Sequence, residues 1–238
     1  MRRPAPARDE RKHPQASKPA ILFDLDGTLL DSNYEHVSAW RLALRREGVE
    51  LPNAFLHRCI GMRGDLLIRA AFREIGRTVG DKTKKRLDKL HKKYFEKTLP
   101  SVRALPGSER LLKKLSELKV PWAIATGGDE KTVRRMIRPF QIPTAIPVIT
   151  ADHVEQAKPD PNVFLMAARE LGVALSDSMV VGDSVWDLLG ARRAKALGIG
   201  LLCGGYGEAE LVQAGAYRVY KDPADLLDRL AEIGIPAE

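Results

Sequence analysis

What most restricts this chain is a recurring order of short apolar runs, polar closures and stretches with helical spacing. Residues 19–25 (PAILFDL) are almost wholly apolar and lead into an Asp-Gly turn, which predicts a buried strand. After Leu105-Pro106-Gly107 the order repeats as helix 108–119, strand 121–125, helix 130–138, a weaker strand 146–150 and helix 162–171. It continues as strand 178–181, helix 187–197, strand 199–203, helix 208–214, strand 217–220 and helix 223–233. Apolar strands that alternate with helices need cover on both faces, so the expected fold class is α/β, a doubly wound, Rossmann-like parallel sheet. Residues 33–100 interrupt this order with helical patterns at 34–47, 64–75 and 82–97, such as Leu66, Leu67, Ala70 and Ala71, and without a convincing strand. The expected organisation is a catalytic core of 19–32 and 101–238, an inserted helical cap of 33–100, and a disordered basic tail of 1–18 rich in Pro and Ala.

Composition narrows the classes. The 238 residues are 44% hydrophobic, enough for a real core, and no run approaches the ~20 apolar residues needed to span a bilayer. Arg2 and Arg3 could open an export signal, but no apolar run of about 7–15 residues follows. Cys59 and Cys203 are far apart and outside any Cys-x-x-Cys pattern, which excludes a disulfide scaffold and a cysteine-ligated zinc site and fits a reducing, cytoplasmic location. The net charge of +8 is unevenly spread: +4 in the tail, +8 in 33–100 and −4 in the remainder. The lysine-rich segment 82–97 surrounds Leu87, Leu90 and Tyr94, which reads as a solvated face around a buried stripe. With aromatics at 6%, this pattern argues against nucleic acid.

In a doubly wound fold, ligands bind beyond the carboxyl ends of the strands. Polar clusters follow the strand runs here: Asp24-Leu25-Asp26-Gly27-Thr28, Thr126-Gly127-Gly128 and Gly182-Asp183-Ser184, with Asp187 one turn on and Lys158-Pro159 before the helix at 162. Each alone has an ordinary reading, as a turn, a helix entry or a cap. Asp24 also begins something like a calcium loop, but Leu29 stands where such a loop needs Gly. Together they are another matter. Asp24 and Asp26 point to the same side of an extended chain. With Asp183 and Asp187 they form a hard-oxygen site suited to Mg²⁺. A carboxylate can attack phosphorus, Gly27, Thr28 and the following amides can wrap a phosphoryl group, and Thr126 and Lys158 can stabilise its oxygens.

The pieces DLDGTLLDS (24–32), IATGG (124–128), AKPDPNVF (157–164) and VGDSVWDLLGA (181–191) closely resemble the haloacid dehalogenase superfamily of hydrolases. The resemblance implies that Asp24 is nucleophile and metal ligand. It implies that Asp26 is the general acid and then base, and that its carbonyl binds the metal. Thr126 and Lys158 match phosphate-holding positions, Asp183 the acidic metal ligand, and Asp187 the second acid, acting directly or through water. Dehalogenating members lack an acid at the position of Asp26. Phosphoglucomutase-like members typically have Glu-Asp where this chain has Gly182-Asp183. The resemblance therefore favours a phosphatase of the phosphoglycolate phosphatase-like branch, with mutase-like phosphoryl transfer or nucleic-acid binding by the basic segment as alternatives. Excluding water from the site should help raise the pKa of Asp26.

Substrate-facing candidates in the insertion are Asn33, Tyr34 and His36, which follow Asp31-Ser32, and Arg63 between Gly61 and Gly64, placed to clamp a second anionic group. Gly127 is a further phosphate-facing candidate. Trp40 is expected in the core, and Trp186 either under the site or at the border of the insertion. The expected partner is a small phosphorylated metabolite, with no membrane, and the chain is expected as a monomer or homodimer.

Overall fold

The computed structural model describes residues 19–156 and 158–236; the basic tail 1–18, Ala157 in the AKPDPNVF stretch, and residues 237–238 lie outside the described residues. In chain order the elements are β1 (Ala20–Phe23), β2 (Leu30–Asp31), α1 (Asn33–Arg45), α2 (Asn53–Cys59), α3 (Gly64–Glu74), α4 (Asp81–Thr98), β3 (Arg103–Ala104) and α5 (Ser108–Glu117). They continue as β4 (Trp122–Ala125), α6 (Glu130–Ile137), β5 (Val148–Ile149), α7 (Asn162–Glu170), β6 (Ser178–Gly182), α8 (Val185–Arg193), β7 (Leu197–Leu201), α9 (Glu208–Ala214), β8 (Ala216–Tyr220) and α10 (Pro223–Asp228).

Six strands form one parallel sheet in the order β5-β4-β1-β6-β7-β8. The chain winds from β1 to β4 and β5, then crosses to the other side through β6, so β1 lies at the reversal of strand order, where a crevice opens. Alternation along β1 builds both layers. Ile21 and Phe23 pack with Trp122, Leu111, Leu115 and Val133 on one face, and Leu22 packs with Val163, Phe164 and Ala167 on the other. Fully burying a side chain such as Phe23 contributes about 1.5–3 kcal/mol.

Residues 33–98 form four helices around a separate apolar cluster that includes Trp40, Leu44, Leu56, Ile68, Phe72 and Leu87. β2 and β3 pair antiparallel, Leu30 with Ala104 and Asp31 with Arg103, so the two ends of the helical segment are tied together at the sheet. This ribbon and the short helix α2 are absent from the sequence expectations. α8 also stops at Arg193 rather than continuing to 197, because Lys195 turns into the left-handed region at φ 58° and Leu197 already belongs to β7. Among the described residues no helix is long and apolar enough to cross a membrane. Cys59 and Cys203 are both free.

Candidate active site

The carboxyl ends of β1, β4 and β6 converge. Asp24 leaves β1 with its amide bonded to the Val181 carbonyl at 2.9 Å, and Thr126 and Asp183 follow β4 and β6 directly. Asp24, Asp183 and Asp187 are buried, and one carboxylate oxygen from each falls within a 4.8 Å cluster. Lys158, 1% exposed, bonds to Asp24 and lies 2.8 Å from Asp187 Oδ1. Asp187 has contacts on both of its carboxylate oxygens. Its Oδ2 accepts from the Ser184 hydroxyl at 2.6 Å and the Ser184 amide at 3.1 Å, which caps α8, while Oδ1 faces Lys158.

Without a cation these acids crowd one another. Burial pushes Asp24 well above the ordinary carboxylate range; Lys158 opposes this, and Asp187 and Asp183 add to it. Burial, then the charge of Asp187, pushes Asp183 up to about 7 against the hydrogen bonds it accepts. Burial disfavours the charge of Lys158, but Asp187 and Asp24 outweigh it and hold the ammonium above the usual lysine range. Three carboxylates against one committed lysine are a donor set that fits a hard divalent cation such as Mg²⁺.

The side chains of Thr28 and Asn33, two of the substrate-facing candidates, both hold Asp183. The Thr28 hydroxyl donates to Oδ1 and the Asn33 amide to Oδ2, each over 2.8 Å. Gly27, at φ +78°, turns the chain under this carboxylate, where a Cβ would overlap both Asn33 and Asp183. Asp26 accepts from the Ser32 hydroxyl at 2.5 Å and faces His36 Nε2 at 3.2 Å. The expected upward pKa shift of Asp26 is not found. Burial raises it, but the charge and hydrogen bond of His36 and the Ser32 hydroxyl outweigh burial and hold it below the ordinary value. Thr126 Oγ1 accepts from the Gly128 amide at 3.1 Å.

A cavity of about 120 Å³ opens from these residues toward the helical segment, lined by Asp24, Asp26, Thr126, Gly127 and Lys158 on one side and by His36 and residues of α1 and α4 on the other. Arg63 does not line it. Its guanidinium is taken by Asp65 at 2.5 and 3.1 Å and by the Glu155 carbonyl at 2.5 Å, so the clamp expected between two glycines is spent on its own neighbours. Tyr34 is exposed and stacks on His57 outside the cavity. Trp40 is buried in the helical cluster yet lines the cavity, and Trp186 bridges to the insertion by donating to the Arg58 carbonyl at 3.0 Å.

Sequence reasoning missed Asp88, His91 and Lys92 of α4, which also line the cavity. His91 stacks on Trp40 with ring centroids 4.1 Å apart and contacts His36 Nδ1 through Nε2 at 3.1 Å. The available signal was spacing: Leu87, His91 and Phe95 follow at intervals of four, one inward stripe within a segment whose lysines dominate its reading.

A sequence model described as haloacid dehalogenase-like hydrolase matches residues 21–200. The chain is similar to a hydrolase from Pseudomonas syringae of known structure, at 42% identity and TM-score 0.88, over 91% of this chain and 99% of that one. It is 33% identical to hexitol phosphatase A of Escherichia coli over 69% of this chain and 74% of that protein. It is 28% identical to a phosphoglycolate phosphatase of Rhodospirillum rubrum over 89% of this chain and 90% of that protein. With the parallel sheet, the ordered acid clusters at its strand ends and a match spanning most of its length, the chain belongs to the haloacid dehalogenase-like hydrolase family.

Proposed function

We propose that this protein is a Mg²⁺-dependent phosphatase that hydrolyses a small phosphorylated metabolite through an aspartyl phosphate on Asp24, with 33–100 acting as a cap over a core of 19–32 and 101–238. The observation that carries the reading is the buried cluster of Asp24, Asp183 and Asp187 set against Lys158, with Asp24 and Lys158 lining a cavity between the strand ends and the helical segment. The names of relatives, hexitol phosphatase and phosphoglycolate phosphatase, support the same reaction class.

When bound, Mg²⁺ would be held by Asp24, Asp183 and Asp187 with the Asp26 main-chain carbonyl, and it supplies positive charge that favours the ionised nucleophile and draws electron density from the phosphoryl oxygens. The chain's own residues account for the rest. The Asp24 carboxylate attacks phosphorus, and the ester P–O bond breaks. Lys158, the Thr126 hydroxyl and the amide of Gly127 hold the equatorial oxygens. Asp26 gives its proton to the leaving oxygen. The arriving phosphate dianion raises the proton affinity of Asp26 against the hold of His36. Asp26 then takes a proton from the water that attacks the aspartyl phosphate, which releases inorganic phosphate and restores Asp24. His36, bonded to Asp26 and stacked on Phe95 at 3.8 Å, fixes the orientation of that acid.

The test is a panel of phosphorylated metabolites with and without Mg²⁺. Phosphate release that requires Mg²⁺ and is lost with EDTA is expected. No release from any ester, a generic aryl phosphate included, would sink the reading. Phosphorylated product retained on a second hydroxyl of a sugar would instead favour mutase-like transfer, a reading that Gly182-Asp183 in place of Glu-Asp argues against.

A further inference from the structure

The cavity wall contributed by the helical segment bears on which leaving group it accepts. Among the described residues this wall carries no arginine, since Arg63 is turned away to Asp65 and the Glu155 carbonyl. Its one lysine, Lys92, is paired with Asp88 one turn earlier on α4 at 3.2 Å. Asp129, at the head of α6, lines the same space and adds a second negative charge within the field of Lys92. Lys158 is committed to Asp24 and Asp187. His91 is kept neutral, chiefly by burial and then by His36 and Lys92, so it offers hydrogen bonding without charge. The remaining wall is aromatic and aliphatic: Trp40, Phe95, Met62 and Leu67.

A carboxylate on the leaving group would have to compete with Asp88 for Lys92 while lying near Asp129, because Lys158 faces Asp24 and Asp187 and His36 faces Asp26. A hydroxylated carbon chain meets the opposite situation. Its hydroxyls find carboxylate acceptors and an imidazole, and its C–H surface finds rings. Resting on the phosphatase reading above, we propose that the Asp88–Lys92 pair is a charge filter that makes the substrate the phosphate ester of a short, uncharged polyol or sugar rather than a phosphorylated carboxylic acid.

The test compares size-matched substrates within single preparations: glycerol 3-phosphate against 3-phosphoglycerate, and 2-hydroxyethyl phosphate against phosphoglycolate. The neutral member of each pair is expected to have the higher kcat/KM by about tenfold or more. Asp88→Asn, which frees Lys92, should lower that ratio by about tenfold, and Lys92→Gln, which leaves Asp88 and Asp129 unopposed, should raise it. Each ratio is internal to one preparation, so partial misfolding of a variant cancels. Wild-type preference for the acids, or a ratio indifferent to Asp88→Asn, overturns the charge filter while leaving a phosphatase. Absence of turnover with every ester, a generic aryl phosphate included, overturns the phosphatase reading and the filter with it.

Discussion

The Asn33 side-chain amide donates to Asp183 Oδ2 over 2.8 Å, and so joins the first residue of the helical segment to a carboxylate delivered by β6, the neighbour of β1. The same amide reaches the Gly204 carbonyl at 3.2 Å. A partner of this kind orients a ligating carboxylate without touching the metal, and its loss typically weakens metal binding by about 10–100-fold. Asn33→Ala should therefore raise the Mg²⁺ concentration for half-maximal activity by about that factor, with turnover at saturating Mg²⁺ little changed. A Mg²⁺ titration of initial rates checks this. An unchanged midpoint would show that Asp183 is held well enough by Thr28 alone.

Asp24 is the one acid of the cluster placed at the end of β1, at the reversal of strand order, with Lys158 bonded to it. Asp24→Asn keeps size and hydrogen bonding but removes the nucleophilic carboxylate. Turnover should fall by at least about a thousandfold, as for other essential nucleophiles. Steady-state phosphate release measures it, and activity near wild type would exclude an aspartyl phosphate.

The strand ends were legible because each strand announces itself locally. An apolar run such as Ile21–Phe23 or Met179–Val181 is closed by residues that have no place in a core, and the fold can use them only at its ligand edge. What the side chains do there was less legible. The contacts of Thr28 and Asn33 with Asp183 are not legible, because that partner is 155 and 150 residues away in sequence. Arg63 carried the right charge in the right loop, but Asp65 captures it from two residues on. The β2–β3 ribbon has only two residues per strand, too few for a period, and exists because the chain must close the helical segment at the sheet. α2 is seven residues between Pro52 and Ile60, likewise shorter than the window in which helical spacing emerges. His91 and Asp88 were hidden by lysines, since charge dominates the reading of α4 while its docking on α1 decides which residues face the cavity.

Gly204 lies so close to Asp183 that a Cβ there would overlap its carboxylate, although its backbone conformation is open to any residue. Gly204→Ala should therefore act by displacing Asp183 rather than by backbone strain. We expect a loss of about 1–3 kcal/mol in stability from the forced repacking. Apparent Mg²⁺ affinity should drop by about tenfold or more. Gly80→Ala, where no atom lies within 4 Å of the added Cβ, is the control and should leave Mg²⁺ affinity unchanged. Denaturant melts and Mg²⁺ titrations of both variants separate the two effects. Equal Mg²⁺ affinities would remove Asp183 from the metal site.

The crowding of acids also predicts how pH and metal act together. Asp183 is pushed up to about 7, and Asp24 is raised as well. The folded protein free of metal therefore binds protons that the unfolded chain has already released above the ordinary carboxylate range. This contribution to stability is full below that range and is lost as pH rises toward about 7. His91 acts with the opposite sign, because burial lowers its pKa well below 6.5 and its contribution is lost as pH falls. Its contribution cancels when the protein with Mg²⁺ is compared with the protein in EDTA at the same pH. Mg²⁺ competes with the protons on Asp24 and Asp183, so the rise in Tm on adding Mg²⁺ should be small near pH 5.5 and grow toward pH 8. Paired thermal melts across that range give the answer, and a Mg²⁺ increment that does not change with pH would show that the metal binds without displacing protons from these two acids.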